Sequence, residues 1–490
     1  MGLFKDAANA MAWTTTSTVV RSIVSLLQVS ILTSYLPKED FGIVAICNLF
    51  IGFSQIFLDL GISVGILHKQ DITKEQYSSL FWLNIIMGIL ITAALCFASP
   101  IVSKIYKEPV LTKLLVLLSM TILFSSIGAQ HRTVQQKQMR FKFISIIEIL
   151  TSILTLTLAV ILVRTGFGIY SLIYSTMFHT LFQNLVYLII GLYKDRNISF
   201  HFRLRDTFPF LKIGVFSVGS EVMNYFSREL DVIIISATLG KETLGLYSLC
   251  KKLIMAAYSA INPILTKVLT PMLAKLQNDI EHIKKVYYNV IETVAFANFP
   301  IFFLAAIFSY GILNFLYGSE YTEGRYVLGV LAVYYGNLTT GNPVGSLQTA
   351  LGRTDTGFYW NICRIAICSF AVFLGSQFSL EAVCICLFLL SLCSTPLSWR
   401  ITIKPLIGGN FWEFFFVTFK PFSILFLLAV PFYIFFAEVD NIIAVALLSV
   451  LYLVICTCAM AIFFKNSFIV QKVFDQLRKN GCKISLPSSK

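Results

Sequence analysis

Thr14, Thr18, Arg21, Ser25 and Gln28 follow one another at steps of four, three, four and three, which keeps all five on one helical face. Adding 203 to each number gives Ser217, Glu221, Asn224, Arg228 and Asp231, and every one of these is polar too. Asn48, Gln55 and Asp59 map by the same offset onto Lys251, Tyr258 and Asn262, with Lys252 beside them. Hydroxyls, amides and charges arranged as a stripe in apolar surroundings can bind a hydrated solute, hold an ion pair or pass a proton. Two unrelated helices would rarely share such a pattern. The coincidence predicts symmetric packing of the two stripes around one polar cavity.

A charge placed in hydrocarbon costs roughly 2.5–3.5 kcal/mol on insertion scales, so it usually faces a bundle interior or water. Arg21 stands about eleven residues into its helix and cannot easily reach an interface; it lines a cavity or pairs internally, with Asp59 as the expected partner. Arg228, Lys251 and Lys252 fall near the outer ends of their helices, where Glu229 and Asp231 are available to neutralise them. An ion-paired outer gate and a substrate contact are both open there. Arg364 completes the cationic candidates, whereas Lys267 and Lys420 stand near inner helix ends and are expected to snorkel. Asp59, Glu148, Glu221, Asp231 and Glu292 are candidates for coupling to H+ or Na+, because a carboxylate in a low-dielectric site can have a raised pKa. No cofactor, metal or catalytic residue is expected. His179, with Gln183 one turn on, reads as a packing histidine. The segment from Tyr334 to Thr349, which includes the cavity candidate Asn337, mixes hydroxyls and amides with aromatic rings. That mixture suits sugars, although small polar residues also hold helices together. Pro263, Pro300, Pro343 and Pro396 interrupt spans and could permit bending.

The elements that must carry these residues follow from composition. Of 490 residues, 57% are hydrophobic and 13% charged, against about 25% charged in soluble proteins. Such a chain cannot cover its surface in water, which excludes a soluble enzyme and a disordered protein. A spanning helix takes about 20 apolar residues, and with its connection about 35, which predicts about fourteen spans. Apolar runs fall near 10–35, 41–66, 79–102, 110–130, 143–163, 167–192, 209–237, 243–272, 287–316, 326–350, 356–375, 380–403, 414–437 and 440–464. Counted with a cytoplasmic N-terminus, inner segments carry 23 Lys and Arg and outer segments six, namely Lys38, Lys104, Lys107, Arg164, Lys241 and Arg325. The excess places both termini inside. It also explains the net charge of +13 as topology, with no nucleic-acid partner. The eleven cysteines lie mostly in apolar runs and behave as small hydrophobes. The N-terminus leads into a first span without a small-residue cleavage site.

Ser34 to Ile43 aligns without a gap on Ala237 to Leu246, and Val29/Val232, Ile31/Ile234 and Cys47/Cys250 also coincide. Six helices separate the copies, and an even number keeps them parallel. The halves are therefore expected to be related by an axis along the membrane normal, an arrangement found among secondary transporters. The expected fold class is an all-α polytopic membrane protein of two pseudo-twofold-related six-helix bundles, 1–193 and 209–405. A basic amphipathic cytoplasmic linker, 194–208, joins them; two extra helices, 406–464, and a basic cytoplasmic tail, 465–490, follow.

The motifs Phe41-Gly42, Asp59-Leu60-Gly61, Phe81-Trp82-Leu83-Asn84, Arg140-Phe141, Glu148 and Gly166-x-Gly168 occur in that order. They are followed by Ser227-Arg228-x-Leu230-Asp231, Leu244-Gly245-Leu246-Tyr247 and Ala350-Leu351-Gly352-Arg353. Over roughly residues 1–410 the set resembles the Wzx-like polysaccharide and O-antigen flippases, closest to the colanic-acid-exporter-like members. These form the polysaccharide-transporter branch of the multidrug/oligosaccharidyl-lipid/polysaccharide exporter superfamily. The resemblance implies a flippase, not an enzyme, in the bacterial cytoplasmic (inner) membrane. It implies alternating access through a central cationic cavity, matched here by Arg21, Arg228, Lys251, Lys252 and Arg364. The substrate it implies is a polyprenyl-pyrophosphate-linked oligosaccharide repeat for surface polysaccharide biosynthesis. Membrane lipids and the polysaccharide polymerase and export machinery are the implied partners. Two other readings stay open: a multidrug/cation exporter of the same superfamily, and a membrane glycan polymerase or glycosyltransferase.

Overall fold

The computed structural model describes residues 2–69, 71–195, 200–274, 276–277, 279–439 and 441–463, with side chains at all of these except 2–8, 194–195, 213, 215–217, 260–268, 271, 354 and 442. The tail expected over 465–490, most of the 194–199 stretch and the side chains of Ser217 and Asn262 lie outside the described residues. Contacts divide the chain into two compact units, Met1–Ser248 and Leu249–Lys490.

The first unit contains α1 (Gly2–Thr33), α2 (Lys38–Asp59), α3 (Ile62–His68), α4 (Lys74–Tyr106), α5 (Val110–Lys137), α6 (Phe141–Arg164), α7 (Tyr170–Ile190), α8 (Leu204–Thr238) and the start of α9 (Gly240–Ala274). The remainder of α9 belongs to the second unit, with α10 (Ile280–Ile307), α11 (Ser309–Tyr317), α12 (Arg325–Thr339), α13 (Pro343–Ala350), α14 (Thr354–Ser376) and α15 (Leu380–Cys393). It continues through the short α16 (Thr395–Ser398) and α17 (Lys404–Ile407) to α18 (Phe411–Phe436) and α19 (Ile442–Phe463). No strand occurs among the described residues. Ten described helices are long and apolar enough to cross a bilayer, eleven when the pair Leu380–Cys393 and Thr395–Ile407, bent by 45°, counts as one. Helices α8 and α9, at 35 residues each, are also long enough to cross a bilayer.

Large apolar side chains face outward in numbers that water would not tolerate: Phe97 is 82% exposed, Phe435 76% and Ile105 70%. Lipid is the solvent that accepts such a surface. The chain is a multi-pass, all-helical membrane protein.

Several expected spans are broken rather than straight. Helix α2 stops where Leu60 (φ 45°) and Gly61 (φ 69°) turn left-handed, and α3 restarts at once. The turn needs glycine twice over, since a Cβ on Gly61 would fall 2.1 Å from the Gly214 Cα. The segment expected as one span over 326–350 is interrupted between Thr339 and Pro343, which restarts the helix as its first residue. The connection before α8 docks on α4: Ser78 Oγ donates to the His201 carbonyl at 2.9 Å, and Phe200 stacks on Trp82. In the second unit, α18 and α19 pack against α10 through Phe299, Phe303, Phe422, Leu425 and Tyr452.

Helix α8, expected in the second bundle, packs in the first unit against α2, α3 and α4. Midway along that seam the Tyr225 hydroxyl donates to the Leu49 carbonyl at 2.6 Å, beside Gly52. Tyr225→Phe is expected to cost about 1 kcal/mol, the net worth of one such bond. Thermal unfolding in detergent measures it, and an unchanged midpoint would count against this seam. Near the end of α2 opposite Gly61, Gly42 and Gly245 meet reciprocally. A Cβ on Gly42 would lie 1.9 Å from the Lys241 carbonyl oxygen, and one on Gly245 1.9 Å from that of Lys38. Both pairs, 42/245 and 38/241, are separated by the same 203 residues as the sequence repeat.

Candidate functional site

Helix α1 packs along α6, and Ser145 Oγ ties the two by donating to the Trp13 carbonyl at 3.0 Å. This packing brings Arg21 onto Glu148, with Nη1 donating to Oε2 at 2.6 Å. From α5, Arg132 Nη2 donates to the other oxygen, Oε1, at 2.8 Å. The carboxylate side chain is only 7% exposed, whereas the two arginine side chains are 43% and 40% exposed. One buried anion therefore anchors two accessible cations. The cluster has a net charge of +1. Such an arrangement is chemically able to bind an oxyanion: guanidinium forks match carboxylate and phosphate, and the anchor limits the entropy lost on binding. His179 on α7 contacts Thr155 Oγ1 through Nδ1 at 3.1 Å.

Asp59, the partner expected for Arg21, is engaged elsewhere. It accepts from the Ser63 backbone N–H at 3.2 Å and from the Ser63 hydroxyl at 2.5 Å. Arg132 did not stand out in the sequence, where it counted among the basic residues of an inner segment. Helix α5 runs on to Lys137, because no glycine or proline interrupts the chain after Gly128, and so carries Arg132 within the helix. The absence of a breaker between Gln130 and Lys137 was the available signal.

The other stripe residues serve several ends. Thr14 and Thr18 donate to helix carbonyls one turn back at 2.7 and 2.8 Å, and Ser25 is half-buried. Gln28 Nε2 approaches Ser175 Oγ at 3.5 Å. Asn48, Gln55, Glu221 and Asn224 are exposed. Arg228 pairs with Glu229 on its own helix at 3.1 Å and lies over the Tyr225 ring. Asp231 accepts from the Val232 N–H and the Tyr247 hydroxyl. At the same end of the unit, Lys241 bridges Glu108 at 2.8 Å and Glu39 at 3.2 Å, and these carboxylates hold its ammonium above the usual lysine range.

In the second unit Lys251 is buried, Lys252 keeps an accessible side chain and Glu292 is half-buried. Asn337 Nδ2 donates to Ser391 Oγ at 3.1 Å, a helix-to-helix contact. The Tyr258 hydroxyl donates to Asn342 Oδ1 at 2.8 Å. The hydroxyls of Thr339, Thr340 and Thr349 donate to backbone carbonyls within their own turns.

The model of a family described as "Polysaccharide biosynthesis protein" matches residues 31–325, more than half the chain. The chain belongs to this polysaccharide biosynthesis family. Among its curated relatives, the lipopolysaccharide biosynthesis protein WzxC of Escherichia coli is 26% identical over 426 residues, 86% of each chain. The teichuronic acid biosynthesis protein TuaB of Bacillus subtilis is 27% identical over 373 residues, 76% of this chain and 77% of that protein. The succinoglycan biosynthesis transport protein ExoT of Rhizobium meliloti is 24% identical over 373 residues, 76% and 75% of the two chains. Among solved structures, the lipid II flippase MurJ in an inward closed conformation superposes with a TM-score of 0.74 at 15% identity, covering 92% of this chain and 98% of that one. An inward-facing multidrug-resistance MATE transporter gives 0.63 at 13% identity, covering 79% and 94%. The polysaccharide biosynthesis family member described here thus has the fold of these transporters, and its Arg21–Glu148–Arg132 cluster lies on three membrane helices of that fold.

Proposed function

We propose that this polysaccharide biosynthesis family member is a flippase, not an enzyme. It carries polyprenyl-pyrophosphate-linked oligosaccharide repeats from the inner to the outer leaflet of the bacterial cytoplasmic membrane, by alternating access through a cationic cavity. The observation that carries the reading is the pair of accessible guanidiniums on one buried carboxylate, Arg21–Glu148–Arg132, within spanning helices. A glycan headgroup sheds water at every hydroxyl on entering hydrocarbon, at several kcal/mol for each group left unpaired. A wet basic chamber supplies replacement contacts for the headgroup and its pyrophosphate while the polyprenyl tail stays in lipid. The names of WzxC, TuaB and ExoT, all tied to polysaccharide biosynthesis or its transport, and that of the flippase MurJ support this substrate class.

The topology that goes with this function has fourteen spans: the eleven that match on length and composition, with α8, α9 and the broken α12–α13 pair. It comprises two six-span halves related by a twofold axis along the membrane normal, two added helices and both termini in the cytoplasm. The reciprocal Gly42–Gly245 contact supports the axis, because a twofold makes residue i meet j and j meet i. The carboxylates Asp59, Glu221, Asp231, Glu148 and Glu292 stay candidates for H+ or Na+ coupling, and polymerase and export machinery for partners.

The test is reconstitution. Purified protein in liposomes is expected to move a fluorescent polyprenyl-pyrophosphate oligosaccharide between leaflets at least about tenfold faster than protein-free liposomes. Movement of a lipophilic cationic dye without movement of the oligosaccharide lipid would reject the flippase in favour of a drug exporter.

A further inference from the structure

The connection that enters α8 belongs to the first unit and has no part in the Arg21–Glu148–Arg132 site. Two buried serines of α4 hold it. Ser78 Oγ donates to the His201 carbonyl, and Ser79 Oγ accepts the Arg203 N–H at 3.1 Å while donating to Asp206 Oδ2 at 3.3 Å. His201 Nε2 lies 3.0 Å from the same carboxylate oxygen. Although its backbone is pinned in this way, the segment turns apolar side chains outward: Phe200 is 99% exposed, and Phe202, Leu204 and Phe208 are exposed with it. Phe200 lies against Trp82, with the ring centroids 5.8 Å apart. On α4, Trp82 shares a face with Ile86, Ile89, Leu90 and Phe97, all four of them exposed on the surface that requires lipid. The apolar side chains of the connection thus prolong the lipid-facing stripe of α4 at its N-terminal end.

The charge at that boundary is one-sided. Arg203, Arg205 and Lys212 have exposed side chains, and no ion pair holds any of them among the described residues. Leu204, Phe208, Lys212 and Arg205 fall within about 100° of one another around α8, so cations and apolar side chains share one face. The carboxylate of this segment, Asp206, is turned onto His201 and Ser79. Glu75, exposed on the first turn of α4, is offset by Lys74 beside it. Apolar side chains flanked by unpaired cations suit the headgroup layer, where anionic lipids attract each Lys or Arg. A zwitterionic phospholipid carries its own cation beside its phosphate and offers these residues little. A phospholipid of net negative charge pairs with them while its acyl chains receive the phenylalanines. A soluble anion would meet the cations but leave the apolar side chains in water.

We infer that the connection entering α8 is a docking surface for anionic phospholipid, with Phe200, Phe202, Leu204 and Phe208 in the acyl boundary and Arg203, Arg205 and Lys212 on the headgroup phosphates. In the topology proposed above, the lipid belongs to the inner leaflet. The test leaves Trp82 as the only tryptophan, through Trp13→Phe, Trp360→Phe, Trp399→Phe and Trp412→Phe. Its fluorescence quenching is read in phosphatidylcholine liposomes that contain a minor share of either brominated phosphatidylglycerol or brominated phosphatidylcholine. Phosphatidylglycerol is expected to associate at least about threefold more strongly than phosphatidylcholine, and to quench better with bromine near the headgroup than near the chain end. Arg203→Gln, Arg205→Gln and Lys212→Gln together bring the two lipids level. Arg203→Lys with Arg205→Lys keeps the preference, because charge is read and not the guanidinium fork. Equal quenching by the two lipids before the charges are removed, a preference that survives their removal, or strongest quenching from the chain end would overturn the surface. So would loss of the preference to inorganic pyrophosphate at constant ionic strength, which would assign the cations to a soluble phosphate. If the single-tryptophan chain does not fold, spin-labelled forms of the same lipids give the comparison on the chain with all its tryptophans. The triple Gln variant then loses the excess of immobilised phosphatidylglycerol, and an unchanged excess overturns the surface. Neither readout needs transport, so failure here leaves the flippase reading standing, and failure of leaflet transfer leaves this surface standing.

Discussion

Gly42→Ala and Gly245→Ala are each expected to lower export at least about tenfold, corresponding to ~1.4 kcal/mol against the closed seam, while protein levels in the membrane stay normal. Each substitution places a methyl carbon 1.9 Å from a carbonyl oxygen on the opposing helix start. Those oxygens belong to backbone and cannot swing aside as a flexible side chain would. The starts of α2 and α9 must therefore separate by an ångström or more before either alanine fits. The Lys241 bridges to Glu39 and Glu108 lie at the same place, so separation strains ion pairs as well as packing. Under the alternating access proposed above, the alanines penalise the state in which these two helix starts touch. Gly219→Ala is the control, since nothing lies within 4 Å of a Cβ there. Surface polysaccharide per cell, normalised to immunoblotted protein, reads the effect. Normal export from both glycine variants would show that this close approach plays no part in the working cycle.

The second large effect is expected at Arg21, Arg132 and Glu148, where the three substitutions should differ in kind. Arg21→Gln or Arg132→Gln leaves one guanidinium on the carboxylate and takes the net charge from +1 to zero. Precursor affinity and transfer rate should then fall together, by at least about tenfold each. Glu148→Gln raises the charge to +2 but removes the anchor of both arginines. Affinity for the pyrophosphate lipid is then expected to hold or tighten, while the transfer rate falls, because the guanidiniums lose their fixed positions. Destabilisation by Glu148→Gln should stay below the 3–5 kcal/mol typical of breaking a fully buried pair, since both arginines retain access to solvent. Binding and transfer measured separately in the same liposomes distinguish the three. A uniform loss in all three variants, with no split between affinity and rate, would reduce the cluster to a structural brace.

Membrane residence, an all-helical fold and the polar stripe of α1 were legible in the chain because each depends on local composition and on the 3.6-residue period. The 203-residue repeat was legible for a related reason: two copies of one pattern can be compared without knowing where either folds. The partner of Arg21 was not legible. Asp59 and Glu148 are both acidic and both within spans, and choosing between them depends on which helix face α1 presents to α6. Arg132 was hidden by a boundary placed too early, since apolar periodicity fades at helix ends while the hydrogen-bonded helix continues.

The amino-acid order by itself settled the solvent, the all-helical class and the likeness between the two stretches offset by 203 residues, since all three depend on neighbours along the chain. Only the folded molecule decided that Glu148 holds two arginines from α1 and α5, that Gly42 and Gly245 touch without room for a methyl group, and that the span holding Asn342 is broken. Those outcomes depend on the register between helices far apart in sequence. Register is chosen by the packing of whole faces, and no single segment contains that information.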